Sequence, residues 1–156
     1  VALTGEKNTL VGCDVASDIG SGGENTILGY NAGGGGVTTA ANNVLLGAYA
    51  GNNLTSGNSN VIIGHEAGSG LILGGRNVVI GSGIDMNGNF SRCIVLGSPE
   101  VSTTPTADNQ LLLNGIAING TAFAGGGGAT PGNVESYLPI LLNNIEYRIP
   151  LYRSIA

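Results

Sequence analysis

Asn60-Val61-Ile62-Ile63-Gly64 decides how this sequence is read, because the same phrase returns along the chain. It recurs as Asn43-Val-Leu-Leu-Gly47, Asn77-Val-Val-Ile-Gly81, Asn25-Thr-Ile-Leu-Gly29 and Asn8-Thr-Leu-Val-Gly12. A sixth copy, Cys93-Ile-Val-Leu-Gly97, keeps the aliphatic triplet and the glycine but loses the asparagine. Leu111-Leu112-Leu113-Asn114-Gly115 is a degenerate seventh. The glycines at 12, 29, 47, 64, 81 and 97 lie 17, 18, 17, 17 and 16 residues apart. A fixed period of that size marks a chain built by stacking one structural unit on the next.

Other columns keep the same period. Three residues after each glycine stand Val15, Ala32, Ala50, Ala67 and Ile84, and ten residues before the next glycine stand Ile19, Val37, Leu54 and Leu71. Each turn thus offers two apolar positions separated by Gly/Asn/Ser-rich corners. The spacing predicts an all-β parallel β-solenoid, or β-roll, of about 17 residues per turn, with two short strands in each turn. At about 4.8 Å between strands, six or seven turns make a rod of roughly 30 Å.

In Val-Ile-Ile or Val-Leu-Leu the side chains alternate between faces, yet all are apolar, so the strand is expected to be buried on both sides. One face fills the coil. The other requires a second apolar surface, which lateral association of identical coils supplies. We take that assembly as an intertwined or laterally packed homotrimer, although the pattern demands burial without counting subunits. Asn8, Asn25, Asn43, Asn60 and Asn77 are read as a structural ladder of stacked amides, a ligand-contacting ladder being the other reading. Gly12, Gly29, Gly47, Gly64, Gly81 and Gly97 are read as corner residues needing a tight turn or a positive φ.

Composition excludes several classes. Of 156 residues 29 are glycine, without the Gly-X-Y triplet of collagen, and the recurrent Val, Leu and Ile argue against disorder. Net charge is −5, and the five basic residues Lys7, Arg76, Arg92, Arg148 and Arg153 form no cluster, so no nucleic-acid partner is expected. No apolar run approaches the roughly 18 residues of a membrane span, so membrane insertion is not expected either. The sequence opens at Val1 without a signal-peptide pattern and is read as a fragment or processed product.

The string Asn-Thr/Val-aliphatic-aliphatic-Gly-x-x-Ala-Gly, best kept from Asn43 to Gly51 and from Asn60 to Gly68, resembles the repeats of phage and other viral tail-fibre proteins. It is also similar to the head repeats of trimeric autotransporter adhesins. The resemblance covers roughly residues 6 to 100 and departs from the adhesin heads in its longer turn of 16 to 18 residues. It implies a left-handed parallel roll in a trimer, placed on a virion surface or otherwise outside the cell. It also implies, in many such fibres, a downstream self-cleaving chaperone module, and no stretch here looks like one.

Beyond the repeats (1–115), residues 116–132 with four consecutive glycines at 125–128 read as a linker. Residues 133–156 read as a C-terminal β-hairpin, turning at Asn143-Asn144, that forms a clasp or knob between subunits. Pro139 and Pro150 belong at an edge or strand end.

Chemistry-bearing residues are sparse. His65, the only histidine, sits in a column with Cys13, Tyr30, Ala48, Ser82 and Ser98, and nothing completes a Ser-His-Asp arrangement around it. Asp14, Glu66, Asp85 and Glu100 do not share a column in neighbouring turns, so no glycosidase acid pair is formed. Asp14, Asp18 and Asp85 are too few for a calcium-binding roll, and Thr9 and Thr26 give way to Val44, Val61 and Val78 where an ice-binding ladder needs threonine. Cys13 and Cys93 lie five rungs apart, roughly 24 Å, beyond the reach of an intrachain disulfide. Both are expected as buried free thiols, with interchain bonds left open. Asn53, Asn89 and Asn119 head glycosylation sequons that matter only in a secretory pathway. The chain is expected to be no enzyme and to hold no cofactor or metal.

The function these observations imply is the distal segment of a trimeric, phage-type viral tail fibre, serving host-surface attachment or the structural shaft. Its partners are further copies of itself and a host-surface glycan or protein receptor. Candidate receptor contacts are Asn52, Asn53 and Asn58 at a corner of the roll, and Tyr137, Tyr147, Arg148 and Tyr152 in the hairpin, where a bare subunit clasp is the other reading. The corner Asp85 to Phe90 is a further exposed loop. A bacterial trimeric adhesin head is the alternative function, and a polysaccharide-degrading tailspike a distant one.

Overall fold

The computed structural model describes residues 4–17, 19–37, 39–97, 104–114, 117–118, 121–122, 134–142 and 145–152. The chain divides into two compact units, Val1–Ile116 and Ala117–Ala156.

In the first unit each repeat phrase sets its aliphatic triplet in a short strand: β1 (Thr9–Val11), β2 (Thr26–Leu28), β3 (Val44–Leu46), β4 (Val61–Ile63), β5 (Val78–Ile80), β6 (Ile94–Gly97) and β7 (Leu111–Asn114). The β-branched and leucine side chains suit an extended backbone. The strands stack in chain order into one seven-stranded parallel sheet. Val44, Leu45 and Leu46 pair with Val61, Ile62 and Ile63, and equivalent residues pair from Thr9↔Thr26 through to Gly97↔Asn114. The unit is a β-solenoid with turns about 17 residues long, and the degenerate phrase at 111–114 is a full rung of it.

Among the described residues each turn carries one strand, not the two expected. The second apolar position, at Ile19, Leu54 and Leu71, lies in a tight turn whose backbone N–H bonds locally, to the carbonyls of Ala16, Gly51 and Gly68 at 3.0, 2.9 and 3.1 Å. A donor used within its own turn is lost to a strand ladder. The corner before each ladder asparagine is left-handed as well: Lys7, Glu24, Asn42, Ser59, Arg76, Arg92 and Asn109 all have φ of 60–62°. Extended structure cannot run through such residues.

The core is a single column. From β2 to β6 the middle residue of each triplet points inward, and Ile27, Leu45, Ile62, Val79 and Val95 are fully buried, whereas Leu10 of β1 is exposed. They meet Ala32, Ala50 and Ala67 from the corner and Val37, Leu54 and Leu71 from the far wall. Alanine fits the corner column because the coil is narrow. Burying each large aliphatic contributes about 1.5–3 kcal/mol.

The second unit contains two antiparallel pairs. β8 (Ala117–Ile118) pairs with β9 (Thr121–Ala122), inside the span expected to be a linker. β10 (Val134–Leu142) pairs with β11 (Ile145–Tyr152), from Leu142↔Ile145 out to Val134↔Tyr152, with an irregularity between Val134 and Ser136. The glycine tract at 125–128 and the Asn143-Asn144 turn lie outside the described residues.

Candidate binding surfaces

The ladder asparagines face inward. Asn25, Asn43, Asn60 and Asn77 are buried, and each passes its bonds to the next turn in the same way. The Oδ1 of Asn43 accepts from both the backbone N–H and the Nδ2 of Asn60, at 2.9 and 3.1 Å. Asn60 Nδ2 donates in addition to the carbonyl of Gly74 at 3.0 Å. The same triple arrangement links Asn8 to Asn25, Asn25 to Asn43, and Asn60 to Asn77. Cys93 ends it: its backbone N–H still bonds Asn77 Oδ1 at 2.9 Å, but the thiol continues no amide chain. Every amide group in the middle of the ladder is occupied by the fold, so these residues hold the rod together and offer nothing to a ligand.

The repeat glycines serve the same end. Gly47 and Gly64 have φ of 134° and 131°, and a Cβ on either would strike the carbonyl of the equivalent glycine in the following turn. Both the backbone conformation and the closeness of the next turn demand glycine.

The outward face of the sheet is open and apolar. The strands follow a pattern of exposed, buried, exposed, as in β2 and β3, so the expected burial on both faces holds inside the single chain only for the inner face. The outer positions form two parallel columns. One runs Val44, Val61, Val78, Ile94, Leu111 after Thr9 and Thr26, and the other runs Val11, Leu28, Leu46, Ile63, Ile80, Leu96, Leu113. Leu28, Leu46, Ile80 and Ile94 are 39–44% exposed. No charged residue interrupts either column. With seven strands at about 4.8 Å and columns about 7 Å apart, the stripe covers a few hundred Å², the size at which an apolar patch marks an interaction site.

The corner residues proposed as receptor contacts are mostly tied into the roll. Asn58 Oδ1 accepts the backbone N–H of Ala41 at 2.7 Å, and Asn53 Nδ2 donates to the carbonyl of Ser69. Asn52 is half-buried, and its Oδ1 is sealed from solvent without a hydrogen-bond partner. At the Asp85–Phe90 corner Asn89 Oδ1 accepts from Leu73 N–H at 2.8 Å, while Met86 is buried and Phe90 packs on the core. Tyr137, Tyr147, Arg148 and Tyr152 stand on β10 and β11, opposite Pro150, Ile140, Pro139 and Val134; their side chains lie outside the described residues.

Sequence reading missed one grouping. Tyr30, Tyr49 and His65 come together on three successive turns at the edge where the strands leave the sheet. Tyr30 and Tyr49 meet edge to face with ring centres 5.3 Å apart, and Tyr49 and His65 do so at 6.1 Å. A hydrogen bond to Tyr49, then the charges of Tyr49 and Asp14, hold the Tyr30 phenol above its ordinary range. Tyr30 and His65 each follow a repeat glycine by one residue, which was a usable signal. Tyr49 follows by two and so stands in the neighbouring column, where Ala48 takes the place that Tyr30 and His65 occupy in their turns.

Titratable groups elsewhere are dispersed. Lys7–Glu24 and Arg92–Asp108 are exposed ion pairs of 3.0 and 3.1 Å, worth little to stability. An open depression of about 200 Å³ is lined by Glu6, Lys7, Gly23, Glu24, Ala41 and Asn42, below the usual size of a ligand pocket. Cys93 is buried, but Cys13 is exposed, against expectation, because its column faces solvent, as Tyr30 and His65 in that column also do; both thiols are free. Hydrogen bonding to Asp14, then its charge, raises the Cys13 pKa. Among the described residues no three His, Cys, Asp or Glu side chains group as metal ligands, and no helix is long and apolar enough to cross a membrane.

Comparison with known proteins finds no matching family model, curated protein or solved structure.

Proposed function

We propose that the chain is the distal part of a homotrimeric attachment fibre of the phage type, in which three solenoids pack their apolar sheet faces about a common axis. The observation that carries this reading is the uncharged double column of aliphatic side chains on the outward sheet face. Purely parallel sheets are covered on both faces. Here the chain covers one face with its own corners and far wall and leaves the other open. Another copy presents the same stripe at the same 4.8 Å rung spacing, so rung can match rung. The antiparallel strands β10 and β11 then form a hairpin that clasps the subunits or makes a terminal knob. A fibre of this kind works by multivalency, because three equivalent sites on one rigid rod turn weak contacts with a host-surface receptor into firm attachment.

Co-sedimentation with a panel of bacteria differing in surface polysaccharide tests the function. The expected result is saturable retention on a subset of strains, lost when Leu46→Asp breaks the assembly. Retention on none of them, or equal retention of the Leu46→Asp protein, contradicts it.

A further inference from the structure

We propose that the edge formed by Tyr30, Tyr49 and His65 is a glycan-binding site for neutral oligosaccharides, an assignment that rests on the attachment reading and gives it a location. The rings are not there for the fold. Their columns are filled elsewhere by Cys13, Ala48 and Ser82, or by Asp14, Asn31 and Gly83, so small and polar residues satisfy the same backbone. None of the three belongs to the buried core, whereas Phe90 packs against it. Tyr30 is 48% exposed and the His65 side chain 57%. Rings kept in water on consecutive turns of a rod otherwise poor in aromatics are in place for a ligand with an apolar face and a polar rim. Pyranose rings have that character.

The geometry suits an extended chain of sugars. Three turns span about 10 Å, the length of a disaccharide, and Tyr49 lies perpendicular to both neighbours, so the three rings make one continuous aromatic edge along the rod. Hydroxyl partners lie beside them. Asp14 and Glu66 are exposed carboxylates adjoining the rings, Asn31 supplies an amide, and the phenols add hydroxyl groups of their own. The charge selects neutral sugars. Asp14 and Glu66 are negative, the chain carries −5 overall, and the cations of the first unit, Lys7, Arg76 and Arg92, sit in the corner column before the strands, not after them. Sialylated or sulfated chains would meet repulsion.

The test uses the native fibre on an array of immobilised glucose, galactose, mannose and N-acetylhexosamine oligosaccharides with sialylated controls. The single histidine serves as an internal reporter, since its imidazole resonances can belong only to His65. We expect binding to a neutral oligosaccharide, movement of the His65 signals on titrating it, and a loss of about tenfold or more in Tyr30→Ala with unchanged native mass. The site is refuted if no neutral sugar binds, if Tyr30→Ala binds undiminished, if protease treatment of cells removes their binding of the fibre, or if Tyr30→Ala lowers the native mass, which would make the rings a subunit seam. Should Tyr30→Ala still hold to cells as the parent does, attachment stands and this site falls. If the parent holds to no cell, the attachment reading itself falls.

Discussion

Asn60 gives both its backbone N–H and its Nδ2 to one acceptor, the Oδ1 of Asn43 in the preceding turn, at 2.9 and 3.1 Å. Its own Oδ1 accepts the same two bonds from Asn77 at 3.0 and 3.1 Å. A buried amide used in this way cannot be removed singly without stranding groups on both neighbours. Asn60→Ala is therefore expected to destabilise the fold by about 3 kcal/mol. Asn8→Ala, at the half-buried end of the ladder, is expected to cost less than half as much. Urea unfolding of the two variants checks this, and equal losses would contradict it.

Gly64→Ala is expected to cost about 3 kcal/mol or more. The added methyl meets the Gly81 carbonyl, and φ is 131°. Circular dichroism at 25 °C should show a largely unfolded chain or a sharply lowered midpoint. A variant as stable as the parent would mean that adjacent turns are not in the close register described.

The repeated asparagine and glycine were legible in the sequence because each answers a demand made once per turn: an amide to carry bonds down the rod, and a corner without a Cβ. The inward triplet centre and the Ala32, Ala50, Ala67 column were legible for the same reason. The second strand was misjudged because the left-handed corner is occupied by Lys7, Glu24, Arg76 and Arg92, residue types that give no turn signal. The aromatic edge was hidden by a one-residue offset at Tyr49, and residues 52–58 looked free because polar corner residues do not reveal that they bond to the next turn.

That left-handed column gives a further expectation. A non-glycine residue at φ near +60° costs about 1–2 kcal/mol, and glycine gives back about 0.5–1 kcal/mol in chain entropy. Arg76→Gly should thus stabilise the protein by about 0.5 kcal/mol, while Asn42→Gly should change little, since asparagine already tolerates this conformation. Thermal unfolding of both variants measures the difference; a lowered midpoint for Arg76→Gly would contradict it.

Cys13 should be a slow thiol despite its exposure. Asp14 beside it accepts its hydrogen bond at 3.4 Å and disfavours the thiolate, and alkylation proceeds through the thiolate. The pH midpoint of iodoacetamide labelling at Cys13 should lie above that of an ordinary cysteine, and Asp14→Asn should move it down. Labelling followed by peptide mass spectrometry separates this site from the buried Cys93. An unshifted midpoint in Asp14→Asn would show that the pair does not interact.

The most direct measurement is native mass by multi-angle light scattering, repeated after hundredfold dilution. Packing of three sheet faces predicts a particle of about 46 kDa, three times the 15.5 kDa chain, unchanged on dilution and reduced by Leu46→Asp. A well-folded monomer of 15.5 kDa would contradict it, and with it the reading of the apolar sheet face as the axis of a fibre.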